Sequence, residues 1–243
     1  MPPADPEVAI GDVAALAARL AERVAGEVSA ALEARGRCVV LLTGGSLAPT
    51  FFPALAALPL DWRAVDFVWG DERAVPPDAA DSNYRAAREL WLDPAGVPQA
   101  RRHRMPAERG DLEAAAAAYA AELEAVAGVA GGPPAVDVAL LGVGPDGHVC
   151  SLFPGHPALD EGERWVMAVH DSPKPPPRRL TVTLPVLAAA RSTVVAALGE
   201  GKAAAVAAAL RDPASTLPVA LVARRTQRAL FLLDPAAAAS LGS

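Results

Sequence analysis

Short runs of valine and leucine recur along this chain, and the clearest of them end at glycine. They are RCVVLLT (Arg37–Thr43), VDFVW (Val65–Trp69), VDVALLGV (Val136–Val143) and TVVAAL (Thr193–Leu198). Runs this short, apolar at nearly every position, describe strands buried on both faces. Between them lie alanine-rich stretches with helical spacing. The pattern predicts helices over Pro6–Arg35, from about Leu47 to Leu58, over Ser82–Leu92 capped by Ser82, over Asp111–Val126, and from Lys202 to about Leu210. Gly36 ends the first. Trp165–Val169, Leu180–Leu184, Val219–Val222 and Ala229–Leu233 read as further strands. Strands alternating with helices imply an α/β fold: an open, mostly parallel, Rossmann-like sheet with helices on both faces. The glycine–proline stretch at 131–134 is a loop and not a boundary, so residues 1–243 are expected to form a single domain.

Composition narrows the function. Hydrophobic residues make up 52% of the chain and charged residues 21%, which is globular. A net charge of −6 argues against a broad nucleic-acid surface, though a local basic pocket for a small anion remains compatible. No signal sequence opens the chain and no long apolar run is present, so a soluble cytoplasmic protein with no membrane partner is expected. Cys38 and Cys150 each sit in or beside an apolar run and read as buried thiols.

Ligands of such sheets bind at the carboxyl ends of the strands. Four polar clusters occupy those positions. Thr43-Gly44-Gly45-Ser46 offers bare backbone and a hydroxyl at a helix start, a phosphate cradle without the P-loop lysine; the alternative is a tight turn that merely needs glycine. Gly70-Asp71-Glu72-Arg73 places an arginine at a strand end, either held by a neighbouring carboxylate and aimed into the cleft or lying in a solvated loop. Lys202 follows Gly199-Glu200-Gly201 at a helix start, where a cation fits best beside a bound anion; the alternative is a solvent-exposed lysine. The fourth cluster, Gly142 to His148, presents a histidine on a Gly-Pro-Asp-Gly turn. Such a side chain suits proton transfer near neutral pH, the alternative being a turn histidine that only hydrogen-bonds locally, and Asp146 stands where it orients the ring, shapes the turn or contacts substrate. His103, His156 and His170 lack that setting. No HxxxH or CxxC spacing suggests a metal, and no G-x-S-x-G suggests a serine hydrolase.

LLTGGSLAPTFF (Leu41–Phe52), VDFVWGDERAVPPDAADSNYRAARE (Val65–Glu89), DVALLGVGPDGHVCSLFPG (Asp137–Gly155), PPRRLTVTLPVL (Pro176–Leu187) and GEGKA (Gly199–Ala203) together resemble the 6-phosphogluconolactonase family, in that family's order and over most of the chain. The resemblance implies a fold similar to glucosamine-6-phosphate deaminase and ribose-5-phosphate isomerase. It implies hydrolysis of 6-phospho-D-glucono-1,5-lactone in the oxidative pentose phosphate pathway, without metal or organic cofactor. His148 matches the family's general base and Arg73 its cleft arginine. Gly44, Gly45 and Ser46 match the phosphate loop, and Arg179 and Lys202 match cationic positions of the wider superfamily. Asp71 and Asp146 are expected at the site. The expected partner is a small sugar phosphate lactone, bound by a monomer or small homo-oligomer. Two alternatives stay open: an isomerase or deaminase of sugar phosphates, for which Ser151-Leu152-Phe153-Pro154 after the histidine is unfavourable, and a non-catalytic sugar-phosphate sensor.

Overall fold

The computed structural model describes residues 4–128 and 131–242. Its strands are β1 (Glu7–Ile10), β2 (Cys38–Leu42), β3 (Val65–Trp69), β4 (Asp71–Arg73), β5 (Arg102–His103), β6 (Val138–Gly142), β7 (Val166–Val169), β8 (Arg179–Val182), β9 (Ser192–Ala197) and β10 (Ala229–Leu233). The α-helices are α1 (Val13–Arg35), α2 (Leu47–Ala56), α3 (Asn83–Ala87), α4 (Leu112–Ala127), α5 (Leu184–Ala188), α6 (Ala203–Arg211) and α7 (Pro218–Arg225). Among the described residues, seven strands form one sheet in the order β1-β10-β9-β6-β2-β3-β5, and every pairing is parallel. All residues of β2, β3, β9 and β10 are buried, which explains why these strands read as nearly continuous apolar runs, broken only by Asp66 in β3 and Ser192-Thr193 in β9, and not as alternating ones. The mostly parallel α/β sheet expected from the sequence is therefore present.

A second sheet was not foreseen. β4, β8 and β7 pair antiparallel, so Trp165–Val169 and Leu180–Leu184 contribute strands outside the main sheet, and Asp71–Arg73 is a strand instead of a loop. Gly70 joins the two sheets. Its N–H donates to Leu42 O in the large sheet, and its carbonyl accepts from Val182 N in the small one, both at 2.8 Å. A Cβ there would lie 2.8 Å from Cys150 Sγ and from Leu41 Cδ2, so only glycine fits this junction.

Two other expectations need correction. Pro6–Arg35 is not one helix: β1 occupies Glu7–Ile10, and α1 starts after Asp12, whose side chain accepts from Ala15 N at 2.8 Å. Val8 and Ile10 favour extended backbone, and Gly11-Asp12 is a break with a cap. Val219–Val222 is helical. Pro218 opens α7 at its first turn, and Val219, Ala220, Val222 and Ala223 form its buried face. A short apolar run fits either period, and here the helical one wins.

Candidate active site

The strand order reverses between β2 and β6. From β2 the chain proceeds outward through β3 and β5, and from β6 outward through β9, on the other side. Such a switch point opens a crevice at the strand ends. Here the Thr43 hydroxyl holds the two strand ends together: it donates to Leu140 O at 2.9 Å and accepts from Gly142 N at 3.2 Å. Above it lies a cleft of about 230 Å³. The loop after β2 forms one wall. Gly44 is bare by necessity, because a Cβ would meet Asn83 Oδ1 at 1.8 Å, and Gly45 turns with φ of +71°. Ser46 is exposed at the start of α2, and its hydroxyl makes no capping bond.

The loop after β6 forms the facing wall. Gly144 N–H donates to His148 O, and Gly147 N–H donates to Gly144 O, each at 2.9 Å. This tight turn points the histidine back over Gly144. His148 Nδ1 lies 2.5 Å from Asp146 Oδ1. A carboxylate only accepts, so Nδ1 carries the proton and Nε2 presents its lone pair. Nε2 makes no hydrogen bond among the described residues. The ring packs against Phe153, with centroids 4.7 Å apart. Burial lowers the His148 pKa from the ordinary histidine value; Asp146 opposes this and Lys174 reinforces it. Burial would raise the Asp146 carboxyl, but its contacts with His148 and Lys174 prevail and hold it at about 2. The pair is thus a neutral imidazole and a carboxylate at neutral pH.

The floor comes from the small sheet. Asp71, buried in β4, accepts from Ser151 Oγ at 2.8 Å and from Asn83 Nδ2 at 3.1 Å. Glu72 is buried too and accepts four hydrogen bonds, from Arg73 N, Asn83 N, Tyr84 N and Ser82 Oγ, at 2.8 to 3.0 Å. It therefore ties β4 to the first turn of α3. Arg73 is not gripped by that carboxylate, contrary to one reading of the sequence: its Nη1 donates to Asp81 O at 2.7 Å, while its buried Nε has no partner among the described residues. Such an unspent donor on a cleft wall suits a ligand oxygen.

Arg179 and Arg178 part company. Arg179 is buried, and its guanidinium donates to the carbonyls of Lys174, Pro175 and Pro176 at 3.0 to 3.1 Å. It shapes the 172–179 loop from within while lining the cleft. Arg178 points away and donates to Gly110 O. Lys202 Nζ donates to Val143 O, and burial lowers its pKa.

Of the residues singled out in the sequence, Gly44, Gly45, Ser46, Asp71, Arg73, His148, Arg179 and Lys202 all line this one cleft, and Asp146 stands behind the imidazole. Lys174 was missed. It lines the cleft from the proline-rich loop, with Nζ 3.2 Å from Asp146 Oδ1 and 3.2 Å from His148 Nδ1. The signal was a lysine held among prolines in SPKPPPRR. The lining holds Arg73, Lys174, Arg179 and Lys202 against the single carboxylate of Asp71. On a chain of net charge −6, that local excess of cations favours an anionic ligand. Among the described residues, no three of His, Cys, Asp and Glu gather as a metal site would require.

The sequence profile described as "Glucosamine-6-phosphate isomerases/6-phosphogluconolactonase" matches residues 11–231. The chain belongs to this family. Within the family it is similar to 6-phosphogluconolactonase of Mycobacterium tuberculosis, with 44% identity over 236 residues that cover 94% of this chain and 95% of the relative. It is also similar to human 6-phosphogluconolactonase, at 42% over 231 residues, covering 92% and 88%. The solved structure of 6-phosphogluconolactonase from Trypanosoma brucei superposes with a TM-score of 0.87 at 30% identity, covering 98% of this chain and 99% of that one. The family's fold thus extends over nearly the whole chain.

Proposed function

We propose that this protein is a 6-phosphogluconolactonase, which hydrolyses 6-phospho-D-glucono-1,5-lactone to 6-phospho-D-gluconate. The observation that carries the reading is the convergence of two unlike parts in one cleft: an imidazole with a free Nε2, and a bare-backbone loop at a helix start among four cations. Relatives more than 40% identical to the chain over the aligned residues support the same activity.

On this reading the ligand phosphate lies against Gly44, Gly45 and Ser46, with Lys202 and Arg179 adding charge. That anchor places the lactone carbonyl near His148. Nε2 takes a proton from water as the water oxygen attacks the carbonyl carbon. The resulting oxyanion gains a guanidinium donor from Arg73. When the bond from that carbon to the ring oxygen breaks, the imidazolium returns its proton to the ring oxygen and a free acid remains. Asp146 holds the ring throughout and stabilises its charged form. A lactone is an activated ester, so one base and a few donors suffice without a covalent nucleophile. The same reading treats residues 1–243 as one sugar-phosphate-binding domain, without cofactor, serving the oxidative pentose phosphate pathway in the cytoplasm.

The test is lactone hydrolysis by the purified protein, with lactone generated in the cuvette and spontaneous hydrolysis subtracted. Turnover well above the spontaneous rate is expected. Ammonia release from glucosamine 6-phosphate, with no lactone turnover, would instead make the protein a deaminase.

A further inference from the structure

The mechanism just described leaves Lys174 unused, although it is the cation nearest the base. The loop that carries it is tightly built. Ser172 Oγ donates to Lys174 O and accepts from Lys174 N, Ser172 N donates to Pro177 O, and the buried Arg179 guanidinium binds three successive carbonyls from Lys174 to Pro176. The backbone at Lys174 is thereby fixed, and its side chain reaches the imidazole from the Nδ1 side. Nζ lies 3.2 Å from Asp146 Oδ1, the same oxygen that accepts from His148 Nδ1–H, and 3.2 Å from Nδ1 itself.

Two donors on one oxygen are compatible while the imidazole is neutral. When the ring gains a second proton, a full positive charge stands 3.2 Å from an ammonium group. We propose that Lys174 is a positioning residue for His148: by sharing Asp146 Oδ1 with the Nδ1–H it keeps the ring neutral, with Nε2 free to take a proton. This rests on the lactonase reading for its purpose, but the contact is present in the free protein. The arrangement opposes two influences on one ring. Asp146 favours the charged imidazole that forms during the reaction. Lys174 limits that preference, so the ring starts each cycle as a base.

The other groups around the ring belong to different elements. Asp71 of β4 favours the charged ring, while burial disfavours it. Arg179 of β8 lies over the opposite partner of the stack, with Cζ 5.8 Å from the Phe153 centroid. Arg73 and Lys202 line the same cleft. None of these bonds to Asp146 Oδ1, so Lys174 is the group whose removal isolates the effect.

The experiment is an NMR titration of the His148 ring in the ligand-free protein, with H148Q used to assign the resonance, beside the pH profile of kcat/KM. The side chain of Lys174 is 37% exposed, so Lys174→Met is expected to fold. In K174M the His148 titration midpoint rises by about half a unit to one unit, as loss of a near cation requires, and the acid limb of the profile moves with it. Lys174→Arg keeps the wild-type midpoint to within a few tenths of a unit. Asp146→Asn moves the midpoint the opposite way, downward. An unchanged or lowered midpoint in K174M overturns the proposal, even where turnover falls, because a merely structural lysine would slow the enzyme at every pH without moving the titration. Absence of lactonase activity in the wild type, with the K174M midpoint still raised, would overturn the functional reading and leave the coupling standing.

Discussion

A methyl group on the Gly144 Cα would stand 2.0 Å from Nδ1 of His148 and 2.5 Å from Oδ1 of Asp146. The pair is packed onto bare backbone, and any side chain at 144 must displace it. Gly144→Ala is therefore expected to cut kcat by about 10²-fold or more, the contribution of a placed general base, while global stability falls by only about 1–3 kcal/mol, typical of local overpacking. Steady-state kinetics and urea unfolding on one preparation separate the two effects. Wild-type turnover in G144A would mean that the ring position is not what the reaction depends on.

Glu72 makes the stronger stability prediction. Four donors converge on its two oxygens. Burial raises its pKa, while the three backbone N–H groups among those donors oppose that rise. Glu72→Gln replaces one acceptor with an NH₂ that faces donors. The expected loss is about 2–4 kcal/mol, because a buried hydrogen-bonded network is left half satisfied. Equilibrium denaturation reads it directly, and a loss below about 0.5 kcal/mol, the level of ordinary surface substitutions, would show that β4 and α3 are held by something else.

Lys202 and Arg179 line the same cleft but are not equivalent. Lys202→Ala removes a charge and one bond to Val143 O, so a raised KM with nearly unchanged kcat is expected for the lactone. Arg179→Ala also removes the guanidinium that organises three loop carbonyls. Its kcat is expected to fall along with the rise in KM, and proteolysis within 172–179 is expected to quicken. Identical kinetic signatures for the two variants would contradict the structural role given to Arg179.

Two histidines give stability opposite dependences on pH. His148 has its pKa lowered by burial, so the unfolded chain binds more protons just below the ordinary histidine value, and stability falls as the solution is acidified through that window. His103 is raised, first by its bond to Asp66 and also by Glu122, so its contribution is present below the ordinary value and is lost as pH rises through the folded one. His103→Gln is thus expected to destabilise more at pH 5.5 than at pH 8.5, and His148→Gln more at pH 8.5 than at pH 5.5. Asp146, held at about 2, adds a contribution that disappears only as pH falls from the usual carboxylate range toward that value. Urea midpoints at the two pH values test the pattern, and a reversed order for either histidine removes its assigned environment.

The central strands were readable because burial on both faces leaves an unmistakable composition: CVVLL and ALFLL admit little else. The residues that line the cleft were readable for a related reason, since glycines and charges directly after such strands have few structural uses. What stayed hidden depends on partners distant in sequence. β1 is four residues with a mixed exterior, and only pairing with β10 makes it a strand. The three residues of β4 are charged, and their extended form comes from β8, more than a hundred positions later. Lys174 carried only one local sign, its place among prolines. Its meaning comes from Arg179 folding the loop so that the lysine reaches a histidine in another part of the chain.

The hydroxyl of Thr43 has a consequence for how this protein comes into being. It ties together two strand ends almost a hundred residues apart, and the loop that follows each supplies one wall of the crevice. A nascent chain that has emerged only as far as α4 holds the glycine loop after β2 with nothing opposite it, and the histidine turn has no wall of its own until it docks there. Ligand affinity should therefore arise in a single step, when β6 slots in beside β2, and partial folding intermediates should be blind to the ligand.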